Sequence, residues 1–109
     1  MSNTPFDDRD GVIWMDGDYV DWREAKLHVL THSLHYGGAV FEGIRAYGGQ
    51  IFKLTEHSQR LIDSAKAVGY KIPYTLEQID QYTQETFEKS GFDNAYLRPI
   101  AWRGAEEMG

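Results

Sequence analysis

The chain has 109 residues, 41% apolar and 26% charged, with a formal net charge of −6. That composition suits one globular domain with a real core and argues against disorder. The acidic balance speaks against nucleic acid or an anionic membrane as the main partner, and the absence of cysteine excludes disulfides, thiolate metal sites and a cysteine nucleophile.

The opening "MSNTPFDDRDG" is polar and acidic, without the basic start and apolar run of a secretion signal. No apolar stretch is long enough to cross a bilayer, so the cytoplasm is the default compartment. Residues 1–11 read as a flexible N-terminal segment and 12–109 as the folded domain. "VIWM" and "YVDW" flank Asp16-Gly17-Asp18, a strong hairpin signal. "REAKLHVLTHSLHYGG" has helical propensity in its first half and breaks at Gly37-Gly38. "VFEGIRAY" and "QIFKL" then surround Gly48-Gly49, a second hairpin turn.

In "TEHSQRLIDSAKAVG", Ser58, Leu61, Ile62, Ala65 and Val68 recur at helical spacing, with Gly69 as the stop. A second helix, "TLEQIDQYTQETFEKSG", follows Pro73, with Thr75 and Gln78 at capping-box spacing and Gly91 at its end. "NAYLRPIAWRG" closes as a strand in which Pro99 favours an edge or a bulge. Strands joined by tight turns are antiparallel, so the expected fold is α+β: an antiparallel sheet of hairpins packed against two helices. The final "RGAEEMG" has no turn back and no capping element, so the chain reads as cut rather than finished.

Three histidines, His28, His32 and His35, have the spacing that stacks side chains on one helix face. No carboxylate is interposed as in a zinc-protease helix, and two glycines follow at once. The expectation is therefore no metal, with the imidazoles satisfied by backbone carbonyls. In "FEGIRAY" the two-residue period sends Phe41, Gly43, Arg45 and Tyr47 to one face and Glu42, Ile44 and Ala46 to the other. The first face reads equally as a solvated surface with a glycine bulge or as a wall on which Arg45 meets a carboxylate beside apolar Phe41. Tyr96, Arg98, Ile100 and Trp102 share one face of the last strand, where Tyr96 and Arg98 make either a carboxylate clamp or a surface stack. Arg60 alone reads as a solvated helix arginine. The acids, Glu42 and Glu56 among them, show no pairing that signals proton-relay chemistry.

"HYGGAVFEGIRAY", then "FKLTEHSQRLIDSAK", then "NAYLRPI" together resemble the N-terminal part of branched-chain amino-acid aminotransferases, pyridoxal-phosphate enzymes of fold type IV. The resemblance runs from about Ile13 to Gly109. D-amino-acid transaminases and aminodeoxychorismate lyases share the architecture but usually not "FEGIRAY" together with "AYLRP". A free-standing, non-catalytic domain that binds a carboxylate or a partner protein is the alternative of another class. The resemblance implies that Arg60 binds the cofactor phosphate, a role suited to a guanidinium fork. It implies that Phe41 lines the pocket for the branched side chain and that Tyr36 reaches into the neighbouring subunit's site, making the enzyme at least a dimer. Tyr96 and Arg98 correspond to the pair that handles substrate carboxylates, with Arg98 receiving the distal carboxylate of glutamate. Gly43 and Arg45 support the same wall. Lys26, Lys53, Lys66, Lys71 and Lys89 all lie outside the context of the family's catalytic lysine, which belongs to a later domain. No catalytic residue is therefore expected in this chain, and the fragment alone is expected to be inactive.

Overall fold

The computed structural model describes residues 5–105; the end of the closing "RGAEEMG", and the first four residues of the N-terminal segment, lie outside the described residues. The elements run β1 (Val12–Met15), β2 (Asp18–Asp21), a 3-10 turn (Trp22–Glu24), α1 (His32–Tyr36), β3 (Val40–Phe41), β4 (Ile44–Tyr47), β5 (Gln50–Ile51), α2 (Leu54–Ala67), α3 (Leu76–Ser90), β6 (Ala95–Leu97) and β7 (Ile100–Ala101). Both expected hairpins form. Asp16 and Gly17 take φ of 53° and 95°, the left-handed pair whose twist matches the flanking strands, and set Met15 opposite Asp18. Gly48-Gly49 turns β4 onto β5, with Tyr47 opposite Gln50. Between Pro5 and Gly11 the chain lies against the 3-10 turn: Arg23 pairs with Asp8 and Asp10, each at 2.8 Å, and the Trp22 ring N–H donates to the Phe6 carbonyl.

Two expected strands are each divided. "VFEGIRAY" forms β3 and β4, and "AYLRPIA" forms β6 and β7. β3 pairs with β7 and β4 with β6, both antiparallel, in one continuous register: Phe41 lies opposite Ile100 and Ile44 opposite Leu97. The interruptions at Glu42-Gly43 and Arg98-Pro99 therefore face each other. The Glu42 N–H donates to the Pro99 carbonyl at 3.0 Å, but proline has no N–H with which to return the bond. The result is a single ladder broken once, at its middle.

The helix expected early in "REAKLHVLTHSLHYGG" does not form beyond Trp22–Glu24, and residues 25–31 are irregular up to α1. Leu27, Val29, Leu30 and Leu34 are all exposed, so the segment buries no apolar face, and helices this short are marginal without one. α1 is fixed instead to the chain after β7: the His32 N–H donates to the Gly104 carbonyl at 2.8 Å, and the Arg103 N–H to the Ser33 hydroxyl at 2.9 Å.

Both long helices form with the expected end signals. The Gly69 N–H reaches the Lys66 carbonyl and the Tyr70 N–H the Ala65 carbonyl, each at 3.0 Å, closing α2 in a Schellman arrangement. At the start of α3 the Thr75 hydroxyl accepts from the Gln78 N–H at 3.2 Å while the Gln78 side-chain oxygen accepts from the Thr75 N–H at 2.9 Å. Leu61, Ala65, Ile72 and Ile79 form the core, with Val40 and Ala101 of the broken ladder packed against it. Burying the leucine and isoleucine side chains contributes about 1.5–3 kcal/mol each relative to exposure. The first hairpin joins through Trp14, stacked on Tyr82 with ring centres 4.8 Å apart and edge-on to Tyr74 at 5.2 Å. Among the described residues no helix is long and apolar enough to cross a membrane.

Candidate functional site

The broken ladder has one covered and one open face, divided as the two-residue period predicts. Glu42, Ile44 and Ala46 are buried toward the helices, whereas Phe41, Arg45, Tyr47 and Tyr96 are exposed. Register then unites two walls that are far apart in sequence. Arg45 lies opposite Tyr96, and Phe41 opposite Ile100.

On the open face the Arg98 guanidinium lies 4.2 Å from the centre of the Phe41 ring and 5.2 Å from that of Tyr96. It donates to the Tyr96 hydroxyl from Nη2 at 2.5 Å and from Nε at 3.2 Å. Arg45 sits 5.1 Å from the centre of the same tyrosine ring. Gly43 makes this cluster possible. A Cβ at that position would stand 2.4 Å from the Tyr96 hydroxyl and about 3 Å from its ring carbons, inside van der Waals contact. The glycine is thus a seat for a neighbouring ring. Among the described residues neither Arg45 nor Arg98 forms an ion pair. Both cations rest on aromatic rings, leaving guanidinium N–H groups able to meet a carboxylate above an apolar floor.

The covered face carries a different cluster, which the sequence reading misses. Glu42 is 4% exposed, and its carboxylate accepts from Arg60 Nε at 2.9 Å through both oxygens, from Arg60 Nη2 at 2.8 Å and from His57 Nδ1 at 2.7 Å. The partners of Glu42 are cationic or imidazole side chains, and the pairing spans from the ladder break to α2, a separation no local spacing reveals. The Arg60 bonds outweigh burial and, with the His57 bond, hold the Glu42 carboxyl below its ordinary range. Glu42 in turn raises the Arg60 guanidinium further. A usable signal was present, since alternation directs Glu42 inward and "EHSQRL" sets His57 and Arg60 one helical turn apart.

The histidines do not converge. His28 precedes α1 and its Nδ1 accepts from the Leu30 N–H at 3.0 Å, so the three imidazoles do not share a helix face. His35 does meet a backbone carbonyl, that of Val29, at 2.7 Å. His32 Nδ1 is buried without a hydrogen bond among the described residues. No group of residues among those described is arranged to hold a metal ion. Tyr36 lies at the end of α1, 62% exposed and beside the His32 ring at 4.7 Å, apart from the Phe41–Arg98 cluster.

The family model for amino-transferase class IV matches residues 39–109, which take in the broken ladder and both long helices. The chain belongs to the class-IV aminotransferases. It is 49% identical over 106 residues to the branched-chain-amino-acid aminotransferase of Pseudomonas aeruginosa, covering 94% of this chain and 34% of that protein. The crystal structure of a T.th. branched-chain amino acid aminotransferase superposes with a TM-score of 0.87 at 45% identity, covering 93% of this chain and 36% of that one. The same enzyme complexed with N-(5'-phosphopyridoxyl)-L-glutamate matches with a TM-score of 0.87 at 44% identity, covering 93% and 36%. This class-IV aminotransferase chain thus spans about a third of the length of the relatives it matches. The expected α+β architecture and the resemblance drawn from "FEGIRAY" and "AYLRP" agree with these findings.

Proposed function

We propose that this chain is the N-terminal small domain of a branched-chain amino-acid aminotransferase, with residues 12–109 as the domain. The complete enzyme moves the amino group between leucine, isoleucine or valine and 2-oxoglutarate. The observation that carries the reading is the open face of the ladder, where Arg98 and Arg45 rest on Tyr96 and Phe41 without carboxylate partners among the described residues. A pocket for both donors and acceptor has to take an aliphatic side chain and a carboxylate in turn. Phe41 supplies apolar surface for the first, and Arg98, oriented by the Tyr96 hydroxyl, supplies a charged partner for the second. Gly43 leaves room for that pair, and Arg45 steadies the tyrosine ring.

Pyridoxal phosphate, when bound, would supply the electron sink for the reaction and carry the amino group between donor and acceptor. The residues present fit one part of it. Arg60 is engaged by Glu42 through Nε and Nη2, its side chain is 66% exposed, and Nη1 has no hydrogen-bond partner among the described residues. Arg60 is thus our candidate for the phosphate. The catalytic lysine and the carboxylate facing the pyridine nitrogen are assigned to the larger part of the protein outside this chain. Tyr36 is assigned to the neighbouring subunit's site, so the active enzyme is a homodimer or a multiple of dimers, and its compartment is the cytoplasm.

The test is amino transfer from leucine, isoleucine and valine to 2-oxoglutarate by the full-length protein. Turnover of the three branched-chain substrates is expected. Turnover of D-alanine with none of the branched-chain L-amino acids overturns the reading in favour of a D-amino-acid transaminase.

A further inference from the structure

We infer that Glu42 is a positioning residue which, together with His57, holds the Arg60 guanidinium in one orientation for the cofactor phosphate. The inference rests on the assignment of Arg60 proposed above. Glu42 sits at the break of the ladder, at a position whose neighbours in phase, Ile44 and Ala46, are core residues. A carboxylate there is costly unless every oxygen is satisfied, and removing a partner exposes that cost. Here the satisfaction comes almost wholly from two side chains of α2. Both Glu42 oxygens accept from Arg60 Nε at 2.9 Å, and Oε1 also accepts from Nη2 at 2.8 Å and from His57 Nδ1 at 2.7 Å.

The geometry is side-on: Glu42 occupies the Nε edge of the guanidinium. The Nη1 edge has no hydrogen-bond partner among the described residues, and two-thirds of the side chain is exposed. An arginine on a helix surface samples many rotamers, and a ligand that uses it must first freeze them. A guanidinium clamped along one edge has already lost that freedom, so its open edge binds with a smaller entropic cost. His57 contributes by fixing the carboxylate, one turn before Arg60 on the same helix.

Glu42 also carries a negative charge beside Arg60, and that charge alone would weaken attraction for a phosphate. The two effects have opposite signs, which makes the substitution decisive. The experiment measures equilibrium binding of pyridoxal 5'-phosphate, and of pyridoxal as the probe without a phosphate, to the full-length apoprotein. The proteins compared are the parent, Arg60→Ala, Glu42→Gln, His57→Phe and the double variant E42Q/R60A. If positioning operates, Glu42→Gln weakens pyridoxal 5'-phosphate binding by about tenfold, the scale of one charge-assisted hydrogen bond, while pyridoxal changes by less than about twofold. The double variant then binds no more weakly than Arg60→Ala, because Glu42 acts only through Arg60. His57→Phe, at a half-buried position, shows the same phosphate-selective loss with a smaller amplitude and serves if Glu42→Gln fails to fold.

Unchanged or tighter binding in the Glu42→Gln and His57→Phe variants, beside weakened binding in Arg60→Ala, overturns the positioning role and leaves the Arg60 assignment standing. Losses that multiply in the double variant overturn it as well. Parent-like binding by Arg60→Ala overturns the phosphate assignment itself, and the inference with it.

Discussion

The two faces of the broken ladder treat charge in opposite ways. On the covered face one buried carboxylate, Glu42, is saturated by Arg60 and His57. On the open face two arginines, Arg45 and Arg98, lean on Tyr96 and Phe41, with no carboxylate among the described residues to neutralise them. In a chain of net charge −6 this is not for lack of acids. Burial forces pairing on one side, because an unpaired buried charge is expensive; on the other side water solvates the cations and leaves them available. One ladder thus carries a saturated carboxylate on its covered face and exposed cations on its open face.

That contrast can be broken by substitution. The largest loss of stability is expected from Ile44→Ala, since Ile44 is fully buried on the covered face: about 2–5 kcal/mol in denaturant unfolding. A cost below about 1 kcal/mol would mean that this face is not the packed one. Gly43→Ala should behave in the opposite manner. The new methyl collides with the outer end of an exposed tyrosine, which can swing away, so unfolding should change by less than about 1 kcal/mol. With the Tyr96–Arg98 bond disturbed, the KM for 2-oxoglutarate in the full-length enzyme should rise by about tenfold. An unaltered KM would remove Gly43 and Tyr96 from the site.

A smaller effect, on pH dependence, distinguishes the covered cluster. The Glu42 carboxyl in the folded protein lies below its ordinary value of 4.5, chiefly through its bonds to Arg60. Its contribution to stability is therefore fully present above that ordinary value and is lost as pH falls through the lowered one. Unfolding free energy measured along an acid series should drop more steeply for the parent than for Glu42→Gln. Parallel curves would show that Glu42 is not held ionised by its partners.

Much of this fold is legible in the sequence, for identifiable reasons. Asp16-Gly17 and Gly48-Gly49 fix hairpins locally, and Thr75 with Gln78 marks a helix start, because each signal involves residues within a single turn. The alternation in "FEGIRAY" assigns both faces correctly. The division of both strands at Glu42-Gly43 and Arg98-Pro99 escapes local reading, since it arises from Pro99 failing to return a bond to a residue far away in the chain. The irregular run after Glu24 escapes for another reason: its propensity is helical, but Leu27, Val29 and Leu30 stay exposed, so no apolar face holds a helix in place. At the site, the pattern gives Phe41, Gly43 and Arg45 as one wall and Tyr96 with Arg98 as another. Only the register joins them, and only the tertiary approach of α2 joins Glu42 to His57 and Arg60.

The central claim is that the open face receives a carboxylate on Arg98. Steady-state kinetics of the full-length Arg98→Ala variant, with leucine and 2-oxoglutarate varied in turn, tests it most directly. The account predicts a KM for 2-oxoglutarate raised by more than about tenfold, with that for leucine changed by less than about threefold, because only the former brings a second carboxylate. Equal changes for the two substrates, or none for either, would contradict it.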